Sequence, residues 1–148
     1  MTITRRDFGR LAATALPAAS LLAKPNSTFN EVQIGTITYS FRALPGSAEE
    51  TLKYCLECGI SGIELMSNVA ESYAGSPAPA ARGGRGPMTP EQQEARRKAV
   101  DAVKQWRLSV PMDKYKAFRK LYEDAGVQIY AFKLPPTLEM SDAEYEYI

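Results

Sequence analysis

One stretch, from Val32 to Met66, constrains the fold more than any other, because it reads as strand, helix and strand in direct succession. β-Branched and aromatic residues fill Val32–Phe41, which is the composition of a strand. Ile60–Met66 is a second short apolar run and carries one acid, Glu64. Two strands separated by a single helix of this length usually form a right-handed parallel crossover. The stretch therefore predicts a parallel sheet.

The segment between these two strands carries the signals of a helix. Pro45 and Gly46 interrupt the first strand, and Ser47 with Glu50 then forms a capping box, in which each side chain bonds the backbone amide of the other. A glycine in the left-handed conformation can close such a helix. Four residues fall on one face at helical spacing: Leu52, Cys55, Leu56 and Gly59.

The remainder of the chain repeats this alternation. A second capping box, Thr89–Gln92, begins a helical segment, and a further helix follows Pro111. Val127–Leu134 reads as a third strand, and Ser141–Glu144 as a third capping box. Helical spacing groups Ala95, Ala99, Ala102, Val103 and Trp106 in the first of these helices, and Tyr115, Phe118, Leu121, Tyr122 and Ala125 in the second. The alternation of strands and helices predicts an α/β fold with a parallel sheet.

The N-terminal residues 1–23 have the character of an export signal. Two arginines, Arg5 and Arg6, precede an apolar run, Leu11–Ala23, which is too short and too interrupted to span a bilayer. The paired arginines with Phe8 two places on resemble a bacterial twin-arginine signal. We therefore expect an exported protein, periplasmic or extracellular, that meets the twin-arginine export machinery. The alternative is an amphipathic N-terminal helix.

Two further segments read as irregular structure. Residues 24–31 are predicted to be a polar linker between the signal and the folded part. Residues 67–88 are rich in Ala, Gly, Pro and Ser and show no apolar period, so they predict a long mobile loop. Arg82 and Arg85 in this loop could meet a phosphate, although they more often belong to a solvated loop, because the segment lacks the glycine spacing of a dinucleotide site.

Composition narrows the chemistry. The chain of 148 residues has a net charge of +1, which offers no large field for nucleic acid. It has no histidine, so the commonest general base and metal ligand are both missing. Its only cysteines, Cys55 and Cys58, cannot by themselves complete a zinc site. They read either as a redox pair or, more simply, as small apolar residues with Cys55 packed against the sheet.

Three segments resemble a known family. ITYSF at Ile37–Phe41, GISGIELM at Gly59–Met66 and above all Gln105–Leu134 are similar to the sugar phosphate isomerase/epimerase family, the xylose-isomerase-like TIM barrels. The resemblance covers about Val32–Ile148. It implies that residues 32–148 form the first three or so units of a (β/α)8 barrel, and that the chain is a fragment of a longer protein.

The family resemblance also implies a function. Members bind a carbohydrate, and a divalent metal such as manganese assists proton transfer between neighbouring carbons by paired glutamates. The family's ligands, typically two Glu, one Asp and one His, belong to later strands, so no catalytic residue or metal ligand is assigned in this chain. Substrate-binding residues are expected at the carboxyl ends of the strands: Tyr39, Phe41, Glu64 and Lys133.

Each of these assignments has a structural alternative. Glu64 and Lys133 would also suit an ion pair between neighbouring strands, and Tyr39 and Phe41 would also suit the core. For the whole chain, the alternatives to an isomerase or epimerase are a non-catalytic sugar-binding barrel and a small redox domain that uses the two cysteines. No nucleic-acid partner and no stable membrane span are expected.

Overall fold

The computed structural model describes residues 24–77, 87–138 and 140–148, and it shows a mixed α/β fold around a parallel sheet. Three strands lie side by side in chain order and run parallel: β3 (Thr36–Ile37), β4 (Gly62–Met66) and β5 (Gln128–Lys133). An antiparallel hairpin of β1 (Thr28–Phe29) and β2 (Val32–Gln33) precedes them. The predicted α/β class with a parallel sheet is confirmed.

Within the described residues, five α-helices and one short 3₁₀ helix connect and flank the strands. The 3₁₀ helix spans Thr38–Phe41, and the α-helices are α1 (Ala48–Glu57), α2 (Ser67–Ala74), α3 (Pro90–Arg107), α4 (Asp113–Asp124) and α5 (Asp142–Tyr147). The predicted capping boxes begin α1 and α3: the Glu50 amide donates to the Ser47 hydroxyl at 3.2 Å, and the Gln92 amide donates to the Thr89 hydroxyl at 3.3 Å. Each box supplies an acceptor to a helix N-terminus that would otherwise leave its amides unpaired.

The core lies between one face of the sheet and the helices α1 and α4. It comprises one cluster that joins Leu52 and Cys55 of α1, Ile63 and Leu65 of β4, and Phe118 and Tyr122 of α4. The Tyr122 hydroxyl donates to the Ala48 carbonyl at 2.8 Å, so the two helices also contact each other directly. The helices α1 and α4, one from each of the two crossovers, therefore lie on the same face of the sheet.

Two members of the predicted α1 stripe, Leu56 and Gly59, do not join this core. Leu56 stays exposed, whereas Cys55 beside it is fully buried. Successive residues of a helix are rotated by about 100°, so a narrow contact with the sheet cannot hold both. The stripe prediction is correct for Leu52 and Cys55 and wrong for Leu56 and Gly59.

The predicted first strand, Val32–Phe41, is divided in the structure. Asn30 and Glu31, both with positive φ, form a tight turn that folds β2 back on β1. The Ser27 hydroxyl donates to the Ile34 carbonyl at 2.6 Å, and the Ser27 amide donates to the Ser61 hydroxyl at 2.9 Å. Residues 24–31 are therefore no free linker, because they include a hairpin strand fastened to the amino ends of β3 and β4.

The predicted loop 67–88 begins as a helix. Ser67–Ala74 form α2, which Gly75 ends with a φ of +93°. Val69 and Ala70 are buried in the core, and that burial stabilises a helix that the later Gly- and Pro-rich residues obscured in the sequence. Residues 78–86, with Arg82 and Arg85, and the signal-like residues 1–23 lie outside the described residues.

The helix α3 is the least buried of the long elements. None of its 18 residues is buried, so the predicted apolar stripe from Ala95 to Trp106 does not form part of the core. By contrast, the stripe of α4 is confirmed, since Phe118 and Tyr122 are buried and Tyr115 packs against the same cluster. The strand β5 also follows the prediction, after Gly126 closes α4 with a φ of +83°.

Candidate functional site

The carboxyl ends of the parallel strands place two charged side chains on the face opposite the helices. Ile63 and Leu65 point into the core, so the alternating residue Glu64 points to the other face. In the register of β4 and β5, Glu64 lies opposite Ala131 and Met66 lies opposite Lys133. Residues opposite each other share a face, so Lys133 lies on the same face as Glu64, two residues nearer the carboxyl end. In the described part of the chain no ion pair joins Glu64 and Lys133.

The 3₁₀ helix is fastened to this edge by a buried threonine. The Thr38 hydroxyl donates to the Glu64 carbonyl at 3.2 Å and accepts from the Met66 amide at 3.3 Å. These two bonds hold the end of β3 beside the end of β4. The residues that follow Thr38 are thereby placed at the carboxyl edge.

The side chains of Tyr39 and Phe41, which both belong to this short helix, lie in different environments. The Tyr39 ring is 52% exposed, with the Arg42 guanidinium carbon 4.8 Å from its centre. The Phe41 ring packs at 5.3 Å from the Tyr54 ring and rests against the core. Tyr39 is therefore open to a ligand, while Phe41 contributes to packing under the edge.

Sequence reasoning missed an aromatic residue on the open face, Tyr130. Its ring lies so close to Gly35 and Gly62 that a Cβ at Gly35 would come within 2.6 Å of it. Tyr130 thus covers the amino halves of β3 and β4, while Glu64 and Lys133 occupy the carboxyl half. A glycine facing an aromatic residue across neighbouring strands is the signal that could have found it.

A second polar cluster, also missed from sequence, surrounds the buried carboxylate of Glu71 on α2. Arg107, at the end of α3, donates to Glu71 through Nε at 2.7 Å and through Nη2 at 3.1 Å. The Tyr147 hydroxyl of α5 donates to the same carboxylate at 3.0 Å and also bonds the Tyr115 hydroxyl. The hydrogen bonds that Arg107 donates to Glu71 raise the pKa of Arg107, and burial raises the pKa of Tyr115 and Tyr147.

A neighbouring ion pair ties α3 to α5 as well. The Lys104 ammonium lies 3.0 Å from the Glu144 carboxylate, which is buried in spite of its charge. The amide of Ser141 and the ammonium of Lys104 lower the pKa of Glu144 to about 2. The helix α3 has no buried residue of its own. Its last turn and a half is nevertheless held in place, because Lys104 and Arg107 each pair with a buried carboxylate on a different helix.

The two cysteines occupy unlike positions. Cys55 is fully buried and Cys58 is exposed, and both are free thiols. Burial raises the pKa of Cys55 to about 11. A catalytic or redox cysteine needs a thiolate, so this environment opposes the redox interpretation and agrees with the packing interpretation.

The described residues do not fit the divalent metal that the family resemblance implies. Among them, no three His, Cys, Asp or Glu side chains lie together in a way that could hold one ion. No chemical step at this edge is therefore derived through a metal.

No helix within the described ranges combines the length and the hydropathy needed to cross a bilayer.

Comparison of the chain with protein-family models, with curated proteins and with solved structures gives no match in any of the three. The resemblance to the isomerase/epimerase barrels therefore depends on the three segments of sequence quoted above. The structural support for a functional proposal comes from the charged and aromatic residues at the carboxyl edge of the sheet.

Proposed function

We propose that these strands are the first part of a (β/α)8 barrel of the sugar phosphate isomerase/epimerase kind, which binds a carbohydrate at its carboxyl edge. One observation carries the proposal. Three parallel strands follow one another in chain order with α1 and α4, one helix from each crossover, on one face, and the other face ends in Glu64 and Lys133. A barrel has this order, keeps its helices outside and places its functional side chains at the carboxyl ends of the strands.

The charged residue Glu64 on the open face of the central strand favours a barrel over a doubly wound sheet, which can begin with strands in the same order. Helices cover both faces of a doubly wound sheet, so its strands are apolar on both. The buried apolar residues of the described strands, Ile63 and Leu65, both face the helices. The opposite face of β4 carries Glu64, which suits the mouth of a barrel that admits a hydrophilic ligand.

The free side of β5 supports closure by further units. Within the described residues β5 has one neighbour, β4. An apolar groove of about 420 Å³ lies beside it, with Phe118, Ile129 and Phe132 among its walls. The helix α4 packs over β4 and β5, and a following helix could fill this groove in the same way while its strand paired with the free edge of β5.

The described side chains supply binding groups in this proposal. The Glu64 carboxylate accepts hydrogen bonds from sugar hydroxyls, and the Lys133 ammonium donates to a phosphate or carboxylate of the ligand. The exposed ring of Tyr39 offers an apolar surface to the C–H groups of a sugar. The glutamates that move the proton, and the ligands of a metal such as manganese, belong to other strands of the full-length protein.

A proton-transfer assay tests the enzymatic part of the proposal. The full-length protein is incubated in D₂O with manganese and a panel of aldoses, ketoses and their phosphates, and NMR follows the carbon next to the carbonyl. An isomerase or epimerase exchanges deuterium into that carbon, and removal of the metal stops the exchange. Exchange no faster than in protein-free samples contradicts the proposed chemistry.

The second candidate is a sugar-binding barrel without catalysis. It needs only binding groups at the carboxyl edge, such as Glu64 and Lys133, which the described residues include. The two candidates separate in the same assay, because a binding protein perturbs the sugar signals without exchanging deuterium.

Export belongs to the same proposal. The paired arginines Arg5 and Arg6 would direct the folded chain to the twin-arginine machinery and so to the periplasm or the medium. Fractionation of bacterial cells that express the wild type and the variant Arg5→Lys/Arg6→Lys tests it. Retention of the variant inside the cell supports export by this route, and equal distribution of the two proteins contradicts it.

A further inference from the structure

A cavity lies next to the Glu71–Arg107 ion pair, and its described lining includes neither Glu64 nor Lys133. Its volume is about 460 Å³, within the usual range of small-molecule sites. Polar groups on its walls come from Asn68, Glu71 and Ser72 of α2 and from Arg107 of α3. Gly46, in the loop before α1, also lines it, so three separate segments of the chain form the cavity.

The ion pair leaves donors available to a ligand. A guanidinium has five N–H groups, and Arg107 uses its Nε–H and one Nη2–H on Glu71. The carboxylate of Glu71 accepts these two bonds and a third from the Tyr147 hydroxyl. In the part of the chain that the structure describes, the remaining three N–H groups of Arg107 have no protein acceptor, while its side chain is 17% exposed.

The charge of the described lining residues does not favour a strong anion site. Arg107 is the one cation among the described lining residues, and the carboxylate of Glu71 neutralises it. Phosphate recognition normally uses clustered or uncompensated positive charge. Neutral oxygen acceptors, such as hydroxyl or ring oxygens, fit the remaining N–H groups better, and they can also bond the amide of Asn68 and the hydroxyl of Ser72.

Apolar walls complete the site. Val103 and Pro77 line the cavity beside these polar groups. A ligand that presents hydroxyl groups on its rim and C–H groups on its faces matches such a mixture of surfaces. We propose that this cavity is a second carbohydrate site, which binds a neutral monosaccharide or another polyol through Arg107, Asn68 and Ser72. The proposal does not depend on the barrel or on its chemistry.

The Nε–H signal of Arg107 offers a direct readout. The full chain is labelled with ¹⁵N-arginine, and the signal is assigned by its loss in Arg107→Lys. Titration with D-xylose or D-glucose should shift this signal in a saturable way. Glucuronate and inorganic phosphate, at matched ionic strength, should shift it less than the neutral sugars do. If the neutral sugars leave the Nε–H signal of Arg107 unchanged, the proposal is overturned. A saturable shift with phosphate that is larger than the shift with the sugars would overturn it as well.

Variants of exposed residues locate the binding without disturbing the ion pair. Asn68→Ala and Ser72→Ala should each raise the sugar Kd at this signal about threefold to tenfold, since each removes one net hydrogen bond. Gln105→Ala, on the exposed surface of α3 outside the cavity, should leave the Kd unchanged. Glu64→Gln should also leave it unchanged, which separates this site from the edge of the sheet. An unaltered Kd in both Asn68→Ala and Ser72→Ala would refute the assignment.

Discussion

The pair of Glu71 and Arg107 provides the sharpest test of how α3 is held. The variant Arg107→Met keeps much of the side-chain volume and leaves the Glu71 carboxylate, only 6% exposed, with the Tyr147 hydroxyl as its remaining donor among the described residues. Removing one partner of a buried ion pair costs about 3–5 kcal/mol, because the other charge stays desolvated. Since Arg107 is itself partly exposed, we expect the lower end, about 3 kcal/mol in the free energy of unfolding. For a chain of this size that lowers Tm by about 6–12 °C.

Urea unfolding of the full chain at pH 7 measures this loss, and Arg97→Met is the matched control. Arg97 also lies on α3 and pairs with Glu94, but its side chain is 76% exposed. An exposed pair of this kind contributes at most about 1 kcal/mol. The double variant Glu71→Leu/Arg107→Met removes both charges, and we expect it to be more stable than Arg107→Met alone. Equal losses in Arg107→Met and Arg97→Met would refute the reasoning.

Three further predictions concern the core, the pH dependence and the thiols. Tyr122→Phe should lose about 1 kcal/mol in urea unfolding, because the Ala48 carbonyl loses a buried hydrogen bond of 2.8 Å; an unchanged midpoint would contradict this. Glu144 has a folded pKa of about 2, lower than its ordinary value of 4.5, so its stabilisation is complete above about pH 5 and is lost as the pH falls toward 2. The free energy of unfolding, measured across pH 2–6, should therefore fall more steeply with decreasing pH for the wild type than for Glu144→Gln. Parallel curves for the two proteins would contradict this prediction. In mass spectrometry after brief alkylation, Cys58 should react in the folded protein and Cys55 only in urea; equal modification of both would revive the redox interpretation.

Local signals in the sequence located much of the fold. The capping boxes at Ser47 and Thr89 identify the starts of α1 and α3, because their geometry depends on residues within one turn. The parallel arrangement also follows from alternation along the chain, since a single crossover helix fixes it. The spacing of Phe118 and Tyr122 identifies the buried face of α4 correctly.

Two of the errors share a physical cause, because each involves a contact between distant parts of the chain. Residues 24–31 looked like a linker, yet Ser27 is held by Ser61, which lies 34 positions away. The burial of Val69 and Ala70 that stabilises α2 depends on partners from other elements, which no local pattern reveals.

For the candidate site too, local patterns predicted some features, and contacts between distant residues were missed. Placing Glu64 and Lys133 at the carboxyl edge required only strand order and alternation, and the structure puts both on the open face. Their possible ion pair is not formed within the described residues. The Glu71–Arg107–Tyr147 cluster was missed because its members are separated by 36 and 76 positions from Glu71 and belong to three helices.

The most direct test of the central claim follows the methyl signal of Met66, which lies on the open face one step beyond Glu64. The full-length protein of the exchange assay, labelled with ¹³C-methyl methionine, is titrated with the aldoses and sugar phosphates of that assay. If the carboxyl edge binds a carbohydrate, one of these ligands shifts the Met66 signal in a saturable way. Glu64→Gln should then weaken binding about tenfold or more, since a hydrogen bond to a charged group is lost. The exposed control Glu57→Gln should bind as the wild type does. Equal affinities in Glu64→Gln and wild type, or no saturable shift with any sugar, would contradict the account.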